Sequence, residues 1–162
     1  METMNGEGRL EVENPFKNKV HRVLAHSYLF YFVSFLLGLF LDFIFPLKFF
    51  EEATMAILGS TILLLGTFLV VWAQKSSHNL KKENLSKETF FVGPYRYTRS
   101  PTHLGLFLLM LGFGIMANGI YIIILSFLSY LFTKFLFIKK EEDILSEKYG
   151  APYIEYKKSV RF

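Results

Sequence analysis

No cysteine occurs anywhere in the 162 residues. That excludes disulfides, thiolate metal sites and a cysteine nucleophile. Histidines number only four. His21 and His26 are five apart and His78 is isolated, so no metal site is expected. Nothing near the N-terminus reads as a cleavable signal peptide. The first 22 residues instead mix Glu2, Glu7, Glu11 and Glu13 with Arg9, Lys17, Lys19 and Arg22, a polar arm. Internal repeats and low-complexity tracts are absent too. The largest absence is that of charge over long stretches. No Asp, Glu, Lys or Arg falls within 23–41, 53–73 or 101–133, where only His26 and His103 titrate near neutrality.

What fills those stretches is apolar. Hydrophobic residues make up 52% of the chain, with nineteen phenylalanines against one tryptophan. A disordered chain is excluded, and one small soluble core is too little to hide this surface. About twenty apolar residues cross a bilayer as a helix. The first two windows therefore predict transmembrane helices near 23–45 and 53–74. The third has thirty-three residues, about 50 Å as a single helix, which is too long for one span. Asn118-Gly119 near its middle is a strong turn signal. It divides the window into a hairpin of helices near 101–117 and 120–138. The expected fold class is all-α: an integral membrane bundle of about four transmembrane helices, because lipid leaves backbone groups no other partners. One domain, 1–162, is expected, with the 1–22 arm and a polar tail over 139–162. Gly59 and Gly66, like Gly105 and Gly112, are seven apart and predict close helix packing. Asp42 is expected to be solvated at the outer end of the first helix.

The net charge of +4 becomes informative once it is laid along the chain. Four cations precede the first helix, and Lys48 alone lies between helices one and two. Six lie between helices two and three, none in the Asn118-Gly119 turn, and seven at or after the end of helix four. The positive-inside rule then puts both termini and the 75–100 loop in the cytoplasm. This distribution predicts no nucleic-acid face. The membrane is expected to be a prokaryotic plasma membrane.

Two polar blocks on that side carry unusual patterns. The first is Gly93-Pro94-Tyr95-Arg96-Tyr97-Thr98-Arg99-Ser100-Pro101-Thr102-His103-Leu104-Gly105. Gly-Pro makes a turn, and Ser100-Pro101 predicts a helix start with Ser at the N-cap and Pro at N1. The free N–H groups of that first turn, with Arg96 and Arg99 beside them, suit a carboxylate or phosphate. An interfacial anchor of Tyr, Arg and Pro would have the same composition. The second block opens on Glu141-Glu142-Asp143. Acids at a helix C-terminus oppose the macrodipole and call for a partner. Tyr149-Gly150-Ala151-Pro152-Tyr153-Ile154-Glu155-Tyr156 follows, with Tyr residues four and three apart on one helix face.

Order and spacing make the two blocks specific together. The chain from about residue 80 to 161 resembles the isoprenylcysteine carboxyl methyltransferase family, including its prokaryotic members and the related phospholipid methyltransferases. That family usually reads Arg-His-Pro-x-Tyr-x-Gly. Here Arg99, Pro101 and Gly105 match, while Ser100 stands where His is usual and His103 where Tyr is usual.

The resemblance implies an integral membrane enzyme that moves a methyl group from S-adenosyl-L-methionine to a lipid-borne acceptor. It places the cofactor in a cytoplasmic pocket formed by the 75–100 loop, the start of helix three and the tail. The cofactor residues it implies are Tyr97, Arg99, Pro101, Gly105, Glu141 and Glu142, with Tyr153 and Arg161 weaker. Ser100 and His103 join them by position. The expected acceptor is the carboxylate of an isoprenylated cysteine, which is already ionised and which Arg96 would position. A phospholipid head-group amine is the alternative, and it needs a base such as His103 to remove its proton. A non-catalytic binding or assembly protein on the same scaffold is the reading of another class.

Overall fold

The computed structural model describes residues 15–47, 52–78 and 87–160. The arm before residue 15, part of the 75–100 loop and Arg161 lie outside the described residues. Among the described residues six α-helices follow one another: α1 Pro15–Ile44, α2 Glu52–His78, α3 Pro101–Met116, α4 Ile120–Thr133, α5 Lys139–Tyr149 and α6 Ala151–Ser159. Two 3-10 turns, Lys87–Phe90 and Gly93–Arg96, precede α3, and a π-turn, Lys134–Ile138, joins α4 to α5. The protein is an all-α membrane bundle. Arg22–Ile44, Thr54–Ser77 and Ile120–Tyr149 are long and apolar enough to cross a membrane.

Two boundaries depart from the sequence expectation. Helix α1 starts at Pro15, so the last part of the polar arm is helical. The fourth helix does not end near 138 but runs through the π-turn into α5. Helix α3, by contrast, has 16 residues and is about 24 Å long, shorter than the roughly 30 Å hydrocarbon layer. The longer helix overshoots it, and α5 passes across its first turn.

The helices pack in the order α2, α3, α4, α1. Between α2 and α3 the predicted glycines make the seam. A Cβ on Gly112 would stand 2.6 Å from Leu63 N, and one on Gly66 2.8 Å from Leu109 N, so only hydrogen fits. On the other side, Tyr31, Met110 and Ile122 form a buried cluster, and the Phe35 and Phe113 rings meet edge to face at 5.0 Å. Outward-facing Phe32, Phe40, Leu64, Phe68 and Leu128 remain half or more exposed, as lipid-facing side chains should.

The Asn118-Gly119 turn forms as predicted. Asn118 takes a left-handed conformation (φ 53°). Gly119 N donates to Gly114 O and Asn118 N to Ile115 O, closing α3 in a Schellman arrangement. Gly119 then begins α4 with no side chain to cap it. Asp42 supplies the missing cap from α1. Its Oδ1 accepts from Tyr121 N and its Oδ2 from Ile122 N, both at 3.0 Å. This corrects the expectation of a solvated Asp42: a carboxylate at a helix N-terminus satisfies orphan donors and complements the dipole. Asp42→Ala is expected to lower the thermal unfolding midpoint in detergent, at a cost of about 2 kcal/mol, with Asp42→Asn losing less.

Candidate functional site

The site is built where the loop before α3 meets the tail. Gly93 has φ +57°, which a side chain resists, and an added Cβ would run into Ser76 of α2. That close approach folds Gly93-Pro94 down onto α2. Tyr156 of α6 then ties the tail to the loop, its hydroxyl donating to Tyr95 O at 2.7 Å. Phe90, Tyr153, Tyr156 and Val160 make a small buried core around this tie. The Phe90 ring meets Tyr149 at 5.2 Å and Tyr153 at 5.4 Å, both edge to face. Gly150, with φ +64°, stops α5 and lets the chain turn into α6, so Tyr149 lies on one helix and Tyr153 and Tyr156 on the next. Burial holds the Tyr153 phenol far above its ordinary range, with the charges of Glu142 and then Glu141 adding to it. Burial does the same at Tyr156, so both stay neutral hydroxyls.

Ser100 occupies the N-cap position of α3 with Pro101 after it, as expected, but its hydroxyl makes no capping hydrogen bond. The open first turn faces α5. Across it, Arg99 Nη1 lies 3.1 Å from Glu142 Oε1, and Lys157 Nζ of α6 lies 2.8 Å from Oε2. Glu142 is thus buried with a cation on each oxygen. The apparent conflict with a helix macrodipole disappears, because the acids lie within a continuing helix rather than at its end.

Glu141, next along, turns to His103. The imidazole is 1% exposed. Its Nε2 lies 3.0 Å from Ser27 Oγ of α1. Ser27 donates its own proton to Leu24 O at 3.1 Å. It can therefore only accept from His103, which fixes the hydrogen of the neutral ring on Nε2. The lone pair is then on Nδ1, which faces Glu141 Oε2 across 3.9 Å, a gap too long for a hydrogen bond.

These groups line one cavity of about 310 Å³. Of the residues singled out in the sequence, it brings together Arg99, Ser100, Pro101, His103, Glu141 and Tyr153. Four others lie elsewhere. Tyr97 is 69% exposed and points away. Arg96 is exposed and does not line the cavity. Gly105 is buried against α2, where a Cβ would stand 2.5 Å from Val70 Cγ2, so it serves packing. Glu142 acts through Arg99 and Lys157 rather than from the cavity wall. Sequence reasoning missed Tyr28, Gln74 and Ser77, which complete the wall from α1 and α2, and Ser27, which holds His103 from behind that wall. The polar cluster His26-Ser27-Tyr28 inside an otherwise apolar window was the available signal.

A second, apolar groove of about 410 Å³ runs between α1, α2 and α3, lined by Tyr31, Phe32, Phe35, Leu63, Met110 and others. Tyr28 lines both spaces. Among the described residues no group of three or more His, Asp or Glu is placed to hold a metal ion.

The family model for phospholipid methyltransferases matches residues 54–152. No curated protein and no solved structure matches the chain.

Proposed function

From the premise that the chain belongs to the phospholipid methyltransferase family, and so is a membrane methyltransferase, we propose that it transfers a methyl group from S-adenosyl-L-methionine to an amine in the head group of a membrane lipid. The observation that carries the choice of acceptor is His103. A carboxylate acceptor needs no base, whereas an ammonium acceptor must first lose a proton. Ser27 holds the imidazole so that a lone pair on Nδ1 faces the cavity, which is the arrangement a base requires.

The donor set fits the cofactor. Arg99 and the first-turn N–H groups of α3 suit its carboxylate. Glu141 suits its ammonium or ribose hydroxyls. Phe90, Tyr149 and Tyr153 give the cavity an aromatic wall, which favours a cation such as a sulfonium. Bound there, S-adenosyl-L-methionine supplies the activated methyl group. The chain's residues align it, exclude water and remove the acceptor proton, and no covalent enzyme intermediate is required. His103 Nδ1 takes the proton. The apolar groove admits the lipid chain from the side and meets the cavity at Tyr28. The clustering of cations on one side of the bundle and a water-soluble cofactor both support a cytoplasmic site.

The carboxylate of an isoprenylated cysteine is the second reading, favoured by the Gly93 to Gly105 pattern. Arg96 does not line the cavity, so that reading lacks its positioning arginine.

Calorimetric titration of the purified protein with S-adenosyl-L-methionine is expected to show saturable binding, and its absence would sink the enzyme reading. Labelled methyl is then expected in phosphatidylethanolamine rather than in a farnesylated cysteine mimic. The reverse outcome selects the carboxylate.

A further inference from the structure

A smaller cavity of about 200 Å³ lies on the other side of the Arg99–Glu142 pair, between residues 98–100 and the junction of α4 with α5. Lys134, Lys139 and Arg99 line it, with the hydroxyl-bearing Thr98, Ser100 and Tyr130. Glu142 is its one acid, and that carboxylate already has Arg99 and Lys157 on its two oxygens. The wall is therefore net positive and rich in donors.

The π-turn makes this wall. Lys134 and Lys139 are five residues apart, which in an α-helix would set them about 140° apart around the axis. The wider i→i+5 turn of Lys134–Ile138 brings residues five apart much closer to alignment, and both lysines reach one cavity. Just before them the helix is lipid-facing: Leu131 and Phe132 are half exposed, and Phe135 at the cavity's edge is 71% exposed. The cavity thus sits where an apolar span gives way to lysines, the level of lipid phosphates in a bilayer.

We propose that this cavity binds the phosphodiester of a membrane phospholipid, with Lys134 and Lys139 as its charge partners and the lipid chains running out past Phe135. Its two lysines belong to this cavity and not to the larger one. Its use in catalysis rests on the function proposed above, since Arg99 and Ser100 line both cavities and a phosphate held here has its head group beside the cofactor cavity.

The test uses the full chain in detergent, with short-chain phosphatidylethanolamine, the diacylglycerol of the same chains, and inorganic phosphate as probes. The phospholipid is expected to bind at least about tenfold tighter than the diacylglycerol. The double variant Lys134→Gln/Lys139→Gln is expected to abolish that preference while binding S-adenosyl-L-methionine like the wild type. Lys134→Arg/Lys139→Arg is expected to retain it. Equal binding of diacylglycerol, or a preference that survives in the glutamine variant, overturns the proposal. Inorganic phosphate binding without any phospholipid preference marks a soluble-anion site and overturns it as well. A wild type that prefers phospholipid yet fails to bind the cofactor removes the methyltransferase reading and leaves this site standing.

Discussion

His103→Ala is expected to lower the turnover of an amine acceptor by about 10²- to 10⁴-fold, the usual contribution of a positioned base. S-adenosyl-L-methionine affinity should stay within a few-fold of wild type, because the cofactor contacts proposed above are Arg99, Glu141 and the backbone of α3. The distinguishing measurement is methyl transfer to an amine and to a carboxylate acceptor by the same preparation. A carboxylate arrives ionised, so a rate on that substrate reduced as severely as the amine rate would point to a structural role. Ser27→Ala provides the companion experiment. Ser27 touches only the far nitrogen of the ring, at 3.0 Å. Its loss frees the tautomer, so a smaller fall in kcat and an altered pH profile are expected. A variant with the wild-type pH profile would show that Ser27 does not orient the base.

Arg99→Ala carries the other large effect: a loss of S-adenosyl-L-methionine affinity of about a hundredfold, as for removing a charge-assisted pair of hydrogen bonds from a partly buried carboxylate. The complication is that Arg99 also pairs with Glu142 at 3.1 Å. Glu142→Ala separates the two roles. If Arg99 matters only as the partner of Glu142, both single variants weaken cofactor binding alike and the double variant adds nothing. If it holds the cofactor carboxylate, Arg99→Ala is much the worse of the two. Equal losses in the two single variants would remove Arg99 from the cofactor site. Thermal midpoints measured alongside report the structural share, which is expected to be larger for Glu142→Ala, since that change strands Arg99 and Lys157 together.

The helices were legible because their signals are local. Charge-free windows, an Asn118-Gly119 turn and seven-residue glycine spacing each follow from a few neighbouring residues, and the helices, the turn and the close packing formed. The site was half legible. The motif around Arg99 supplies Arg99, Ser100, Pro101 and His103 to the cavity wall, but a linear pattern cannot say which way each one points. Once α3 winds, Ser100, Pro101 and His103 face the cavity while Gly105 turns to α2. Tyr97, still in the loop, points outward. The continuation of α4 through a π-turn was hidden for a similar reason. Lys139-Lys140-Glu141-Glu142 reads as the polar end of a span, and only Arg99 and Lys157, brought from elsewhere, give the acids a reason to stay helical. Ser27 was the least visible. Its partner is 76 residues away, and the His26-Ser27-Tyr28 cluster marks a polar spot on α1 without saying what it meets.

The cap that Asp42 places on α4 also sets an order of assembly. Its partners lie 79 and 80 residues further along the chain. Synthesis delivers α1 long before the α3–α4 hairpin exists. Until the hairpin arrives, the carboxylate has only water to satisfy it, and that keeps the end of α1 at the bilayer surface. The Asp42 end of α1 is thus complete only with the hairpin whose first turn carries Ser100 and His103. A chain cut before residue 120 keeps the Phe35–Phe113 and Ser27–His103 contacts between α1 and α3 but loses the cap that fixes the far end of α1.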